Sequence, residues 1–169
     1  MSLVLRPARA TEVARLQQVE RDADSRFEAR PGAPPSDVIP DEHARRFVEQ
    51  GRITVAELDG EVVGWVLLGA IDGEPCIGQL SVAVAHGRRG IGTALLAQAL
   101  EDARARGARS VVLNTQRDVA WNAPWYTRFG FEVVPEHAWS PALRAVTDQQ
   151  RAAGLDWSER VHMRKTFAR

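Results

Sequence analysis

Two short stretches hold the residue types that could do chemistry. The first runs from Gln79 to Leu96. Leu80, Val82 and Val84 alternate as an extended strand requires. Gly87, Arg88, Arg89, Gly90 and Gly92 then bring bare backbone and two guanidiniums to one place. From Ile91 the period becomes helical, with Ile91, Leu95, Leu96, Ala99 and Ala103 on one face. The first amides of a helix have no intrahelical partner and sit at the positive end of its dipole, so this join is suited to an anion such as phosphate. A crossover that needs glycine only to turn is the other reading, and it leaves both arginines unexplained. The second stretch, Asn122 to Phe131, sets an amide, a tryptophan and the only tyrosine, Tyr126, close to Gly130, with Trp121 just before it.

Nucleotide motifs fit poorly. A dinucleotide fingerprint needs a small residue where this chain has Leu95, and a carboxylate at the end of the next strand, where it has Asn114. No Gly-Lys-Ser/Thr triplet occurs, so there is no P-loop.

Together the two stretches resemble the GNAT superfamily of acetyl-CoA-dependent N-acetyltransferases. Gly90 and Gly92 match the glycines of its Arg/Gln-x-x-Gly-x-Gly/Ala motif, whereas the opening slot holds Gly87. Asn122, Tyr126, Gly130 and Phe131 match its Asn…Tyr-x-x-x-Gly-Phe segment. The likeness covers roughly residues 53 to 134. It implies an α/β GNAT fold: a mixed sheet of about 6–7 strands, helices on both faces, and a splayed pair of parallel strands that holds pantetheine as an added strand.

On that resemblance, the backbone of Leu80, Val82 and Val84 contacts the pantetheine. Arg88, Arg89, Gly90, Ile91, Gly92 and Thr93 hold the pyrophosphate, and Asn122 hydrogen-bonds the cofactor or caps a helix. Tyr126 is the expected general acid for the leaving thiolate; otherwise it closes the core. An amine of pKa near ~10 is only ~0.1% neutral at pH 7, so a base should help. Relatives carry a carboxylate mid-strand before the phosphate loop, where this chain has none. Glu74, at the strand's entrance, is the tentative base, with Asp72, Asp24 and Glu28 as further carboxylates; for each, a solvated surface charge is the default reading. Gln79 could orient a water, and His86 is expected to be positional. The implied activity is direct transfer of acetyl from acetyl-CoA to a primary amine of a small molecule or peptide, without a metal. A catalytically weak acyl-CoA-binding sensor is the alternative.

The acceptor-facing parts, residues 25–41, 70–75 and 135–157, contain Arg26, Phe27, Arg30, Trp139 and Trp157 but no long acidic run. That favours a small or amino-acid-like amine over a polycation. Trp121 and Trp125 either wall the thioester site or belong to the core.

The elements that must position these residues are legible. The 169 residues suit a single domain with a sizeable core. Acids and bases balance at 22 each, which gives no reason to expect nucleic acid or a membrane surface as partner. The single cysteine, Cys76, cannot form an internal disulfide and fits a reducing, cytoplasmic setting; no leader or bilayer-length apolar run is evident. A monomer or homodimer is expected.

A first strand over Leu3–Arg6 precedes a helix capped by Thr11, with Val13, Leu16, Val19 and Ala23 as its stripe. A proline-rich loop over 30–36 leads to a second helix, from Asp41 to Gly51. Asp59-Gly60 and Asp72-Gly73 mark hairpin turns between strands over 53–58, 61–68 and 75–84. A helix over 91–106, a strand over 110–115 and a short helix over 121–129 follow. A strand over 131–134, a helix over 141–153 and a last strand over 157–167 complete the chain.

Overall fold

The computed structural model describes residues 2–27 and 38–168. The proline-rich loop, with Glu28 and Arg30, lies outside the described residues. The sheet has seven strands in the order β1 (Leu3–Pro7), β2 (Ile53–Leu58), β3 (Glu61–Ile71), β4 (Glu74–Val82), β5 (Ser110–Gln116), β7 (Arg160–Thr166) and β6 (Glu132–Val133). Helices α1 (Val13–Asp24), α2 (Asp41–Glu49), α3 (Ile91–Ala105), α4 (Ala123–Thr127) and α5 (Pro141–Ala152) connect and cover it. All neighbours pair antiparallel except β4 and β5, which are parallel.

Both hairpins form as their turn residues dictate. Asp59 and Gly60 have φ of 50° and 88°, and Asp72 and Gly73 have 48° and 80°, the left-handed pairs that a two-residue turn between twisted strands needs. The 11-residue β3 is buried along both faces over Val62–Leu68. One apolar cluster packs α3 on the sheet through Val63, Val66, Leu95, Leu96 and Ala99. A second, on the opposite face, joins Leu16 and Val19 of α1 to Ile53, Val55 and Trp65. Trp65 Nε1 donates to the Leu16 carbonyl at 2.9 Å and fixes α1 to the middle of the sheet.

The β4–β5 pair decides the shape of the cleft. Leu67 pairs with Gln79, but Leu68 pairs with Ile77, so Gly78 is an extra residue on β4. Such a bulge bends its strand. Between β4 and β5 the parallel ladder has one registered pair, Cys76 with Val112. Beyond it the strands diverge.

Several expected boundaries move. Alternation predicts a strand to Val84, yet β4 stops at Val82 and Val84–His86 is a 3-10 turn. The Ala83 N–H still bonds Val63, whereas the Val84 N–H donates to Asp22 Oδ2 at 2.6 Å. Thr11 does not cap α1. It sits inside a 3-10 turn, Ala10–Glu12, where Glu12 accepts from the Arg9 N–H at 2.8 Å. The last strand begins at Arg160 rather than Trp157, because Asp156 accepts from the Ser158 N–H and turns Trp157–Glu159 into a 3-10 segment. The short helix contracts to Ala123–Thr127, with Pro124 in its first turn.

Gly64 shows how closely α3 and β4 approach β3. A Cβ there would lie 3.0 Å from the Ser81 carbonyl oxygen, 3.2 Å from Leu95 Cδ1 and 3.3 Å from Val82 Cγ2. Gly64→Ala should therefore lower unfolding free energy by about 1–3 kcal/mol, read from urea melts. An unchanged midpoint and slope would show that this contact can relax freely.

Candidate active site

The glycine loop bends through the left-handed region twice, at Arg88 (φ 60°) and Gly90 (φ 77°). Gly90 is the N-cap of the 15-residue α3 and brings no side chain to its first turn. The amides of Ile91, Gly92 and Thr93 therefore face outwards with neither an intrahelical acceptor nor a capping side chain, and the first intrahelical bond runs from Ala94 to Gly90 at 2.9 Å. Gly92 matters for clearance: a Cβ there would have Val82 and Trp125 as nearest neighbours, at 3.7 and 3.8 Å.

This loop opens into a cleft of about 570 Å³. Leu80 and Val82 of β4 form one wall, and Asn122, Trp125 and Tyr126 the other. Arg88, Gly90, Ile91, Gly92 and Thr93 close one end. Arg89 and Val84 are not part of the lining. Arg26 and Phe27, expected on the acceptor side, join this half. Arg26 stacks over Trp121 at 4.2 Å, and Phe27 meets the same ring at 5.6 Å. Burial, then the nearby Arg88 charge, lowers the Arg26 pKa. His86 also lines this end, with its Nδ1 buried and unpartnered.

A second cavity of about 570 Å³ continues through the gap between β4 and β5. Asp24, Phe27, Leu80, Asn122 and Tyr126 line both, so the two are halves of one cleft. Tyr126 stands at the junction. Its ring is 8% exposed and packs edge-on against Trp125 and Phe131 at 4.9 and 5.6 Å. Its hydroxyl makes no hydrogen bond among the described residues, and burial raises its pKa above the ordinary phenol value. Asn122 N-caps α4 without a side-chain capping bond, which leaves its amide to the cleft.

Glu74 is elsewhere. It does not line either half, and its carboxylate accepts from Ser110 Oγ at 2.6 Å and from Arg164 Nε and Nη2 at 2.8 and 3.0 Å. Burial alone would raise its pKa, but Arg164 and Ser110 bring it below the ordinary range. A carboxylate held that way is a poor base, so the geometry corrects the expectation placed on Glu74. Asp72 is spent on a turn. Gln79 lines the second half but is tied to Ser81 Oγ at 2.9 Å.

Among the described residues, the carboxylates that do face the second half are Asp24 and Glu20. Glu20 is 5% exposed, and its Oε2 accepts from the Ile39 N–H at 2.9 Å. Burial, opposed in part by that bond and helped by the Asp24 charge, pushes it up to about 7. Burial also raises Asp24. Sequence reasoning missed Glu20, although its position carries a signal. It lies four residues after Leu16 and three before Ala23, so it is a carboxylate on the buried stripe. Among the described residues, no group of three or more His, Cys, Asp or Glu could hold a metal ion, and no helix is long and apolar enough to cross a membrane.

The family model for the acetyltransferase (GNAT) family matches residues 16–131. The chain belongs to the GNAT acetyltransferase family. As a member it is an enzyme that uses acetyl-CoA. Solved GNAT structures share its fold at low identity. An N-acetyltransferase, PaiA, from Thermoplasma acidophilum in complex with coenzyme A superposes with a TM-score of 0.74 at 16% identity, over 99% of this chain and 100% of that one. The ribosomal-protein-alanine N-acetyltransferase of Brucella melitensis gives 0.69 at 20%, over 97% and 99%. The N-acetylglutamate synthase of Neisseria gonorrhoeae, complexed with coenzyme A and N-acetyl-glutamate, gives 0.74 at 16%; this GNAT chain spans 36% of its length.

The Glu20 environment makes a testable claim about the folded GNAT domain. Its folded pKa of about 7 stands above the ordinary 4.5, so the folded state holds the proton more tightly than the unfolded state between those values. Its contribution to stability is complete below pH ~4.5 and is lost as pH rises through ~7, by up to about 3 kcal/mol. Glu20→Gln removes this dependence. Its melting temperature relative to wild type should rise by several degrees between pH 5 and pH 8, at roughly 2–4 °C per kcal/mol. A difference that stays constant across that range would show that Glu20 ionises freely.

Proposed function

We propose that the chain moves acetyl from acetyl-CoA to a primary amine of a small molecule or peptide by direct transfer in one ternary complex. The observation that carries this reading is the continuous cleft with Tyr126 at the junction of its halves. Donor and acceptor can enter from opposite ends and meet between β4 and β5.

The residues present fit coenzyme A. The outward amides of Ile91–Thr93, with Arg88 and Arg26 beside them, suit a pyrophosphate. Leu80 and Val82 offer a strand edge that β5 has left, suited to an extended amide chain. When bound, the thioester supplies the activated acetyl group. Asn122 is free to hydrogen-bond the cofactor. Val84 is not needed for that edge, since its N–H is already used by Asp22.

Proton handling divides between the two halves. An ammonium of pKa near ~10 must lose a proton before it can attack. Glu20, poised at about 7, and Asp24, on the same helix, are the carboxylates placed to take it, directly or through a water. Burial keeps the Tyr126 phenol protonated, so it serves as a donor to the sulfur and not as a base. A cofactor-binding sensor without turnover is the second reading. It draws on Gly87 in the opening slot of the loop and on the engagement of Glu74 by Arg164. Release of CoA thiol from acetyl-CoA with a panel of amines separates the two.

Two variants test the assignment. Tyr126→Phe keeps the packing and removes the proton. The expected result is a kcat lower by about 10²-fold or more, with acetyl-CoA affinity within a few-fold of wild type. Full kcat at saturating acetyl-CoA would end the catalytic role. Gly92→Val adds bulk where the protein leaves room, so acetyl-CoA binding should weaken at least about tenfold, or ~1.4 kcal/mol, by calorimetry. Equal affinity would displace the pyrophosphate from this loop.

A further inference from the structure

Arg160, the first residue of β7, lines the second half of the cleft and not the half that holds the glycine loop. Its Nη2 donates to Asn114 Oδ1 at 2.7 Å, and its Nε–H is buried with no acceptor. Among the described residues, no carboxylate lies within ion-pair distance of it. The other sheet arginines with well-covered side chains are paired. Arg6 bonds Glu12 and Glu57, and Arg164 bonds Glu74. On the next-but-one position from Asn114, Gln116 also has a buried side-chain oxygen with no donor. Among the described residues, this wall of the cleft is thus short of hydrogen-bond partners around Arg160, whose guanidinium carbon lies over the Trp157 ring at 5.9 Å but meets no carboxylate.

A guanidinium withdrawn from water costs stability unless an anion meets it. Burial indeed lowers the Arg160 pKa, with no carboxylate acting to restore it. Among the described residues no group supplies that anion, and a ligand bound in this half can. The phosphates of coenzyme A are not suited to supply it, because Arg26, Arg88 and the α3 amides already gather at the far half. The acceptor is the remaining source. In the same half, Glu20 and Asp24 present carboxylates to an incoming ammonium. A planar guanidinium fork matches a carboxylate in two parallel bonds. The half-cleft, at about 570 Å³, is sized for a small molecule rather than a folded partner.

We propose that Arg160 binds the carboxylate of the acceptor, and that the acceptor is a small amine of the amino-acid class. The proposal rests on the acetyl-transfer reading above and adds what the acceptor must carry. Ammonium meets Glu20 and Asp24, carboxylate meets Arg160, and the amine is left near Tyr126 and the gap between β4 and β5.

The test compares acids with their amides on the full chain. Free amino acids, their α-carboxamides and a phosphomonoester amine are offered with acetyl-CoA, and N-acetyl amino acids and their amides are titrated into the CoA-loaded protein. At least one amino acid should be acetylated with kcat/KM about 10²-fold above its amide, and its N-acetyl product should bind better than the product amide. Arg160→Gln should reduce both preferences at least about tenfold, and Arg160→Lys should do so in part. Where Arg160→Gln does not fold, the lysine variant carries the comparison.

An amide used or bound as well as its acid overturns the proposal. So does a phosphomonoester amine preferred to every amino acid, or a preference untouched by folded Arg160 variants. If no amine is acetylated but N-acetyl amino acids bind in an Arg160-dependent way, the carboxylate site stands and the acetyl-transfer reading falls.

Discussion

Two parallel strands that share one registered pair, Cys76 with Val112, leave a row of backbone N–H and C=O groups on facing edges. In a sheet interior such groups would each cost about 1–3 kcal/mol if left dry and unpaired. The gap between β4 and β5 therefore has to be filled by water or by something that hydrogen-bonds like a strand. That requirement makes a ligand with its own chain of amides a natural occupant. It also sets the cleft in the middle of the sheet, where side chains from both faces can reach it. The extra residue at Gly78 bends β4 where the parting begins.

The opening is held by contacts on both sides of it. At the closed end Glu74 ties β4 to Ser110 of β5 and Arg164 of β7, which keeps the strands together where pairing stops. With both side chains about a quarter to a third exposed, this ion pair adds modest stability and mainly fixes position. At the open end Asp22 of α1 accepts from the Val84 N–H and anchors the turn that leads into the glycine loop. The Trp65 indole fixes the same helix to β3. One helix thus sets both the loop that receives the cofactor and the carboxylates, Glu20 and Asp24, that face the amine.

What could be read in advance was local. Asp-Gly pairs specify turns through their own φ values, and the glycine loop with its helix is a contiguous pattern. Tyr126 and Asn122 stand out through the resemblance of their segment, up to Gly130 and Phe131, to the GNAT motif. What escaped depended on distant partners. Val84 alternates like a strand residue, but Asp22, 62 residues away, takes its N–H. Glu74 is a carboxylate at the right strand, but Arg164, 90 residues later, consumes it. Glu20 was hidden because a polar residue on an apolar stripe is usually passed over, and here its burial is what makes it useful. Arg160 enters the site only through the β5–β7 register, which sets it opposite Gln116 and next to Asn114.

Charge sorting follows from these placements. The chain is neutral overall, with 22 acids and 22 bases, yet its cleft is not uniform. Arginines 26 and 88 stand at the loop end, Asp24 at the junction with Glu20 behind it, and Arg160 in the second half. Burial shifts the pKa of Arg26, Glu20, Asp24 and Arg160 towards the neutral form. A protein optimised for stability alone would pair such charges with one another. Keeping them apart costs folding energy and leaves each field directed at the cleft, where a ligand of matching charge order restores what desolvation removed. Burial, with the Asp24 charge beside it, holds Glu20 at about 7, where a carboxylate can both take up and release a proton.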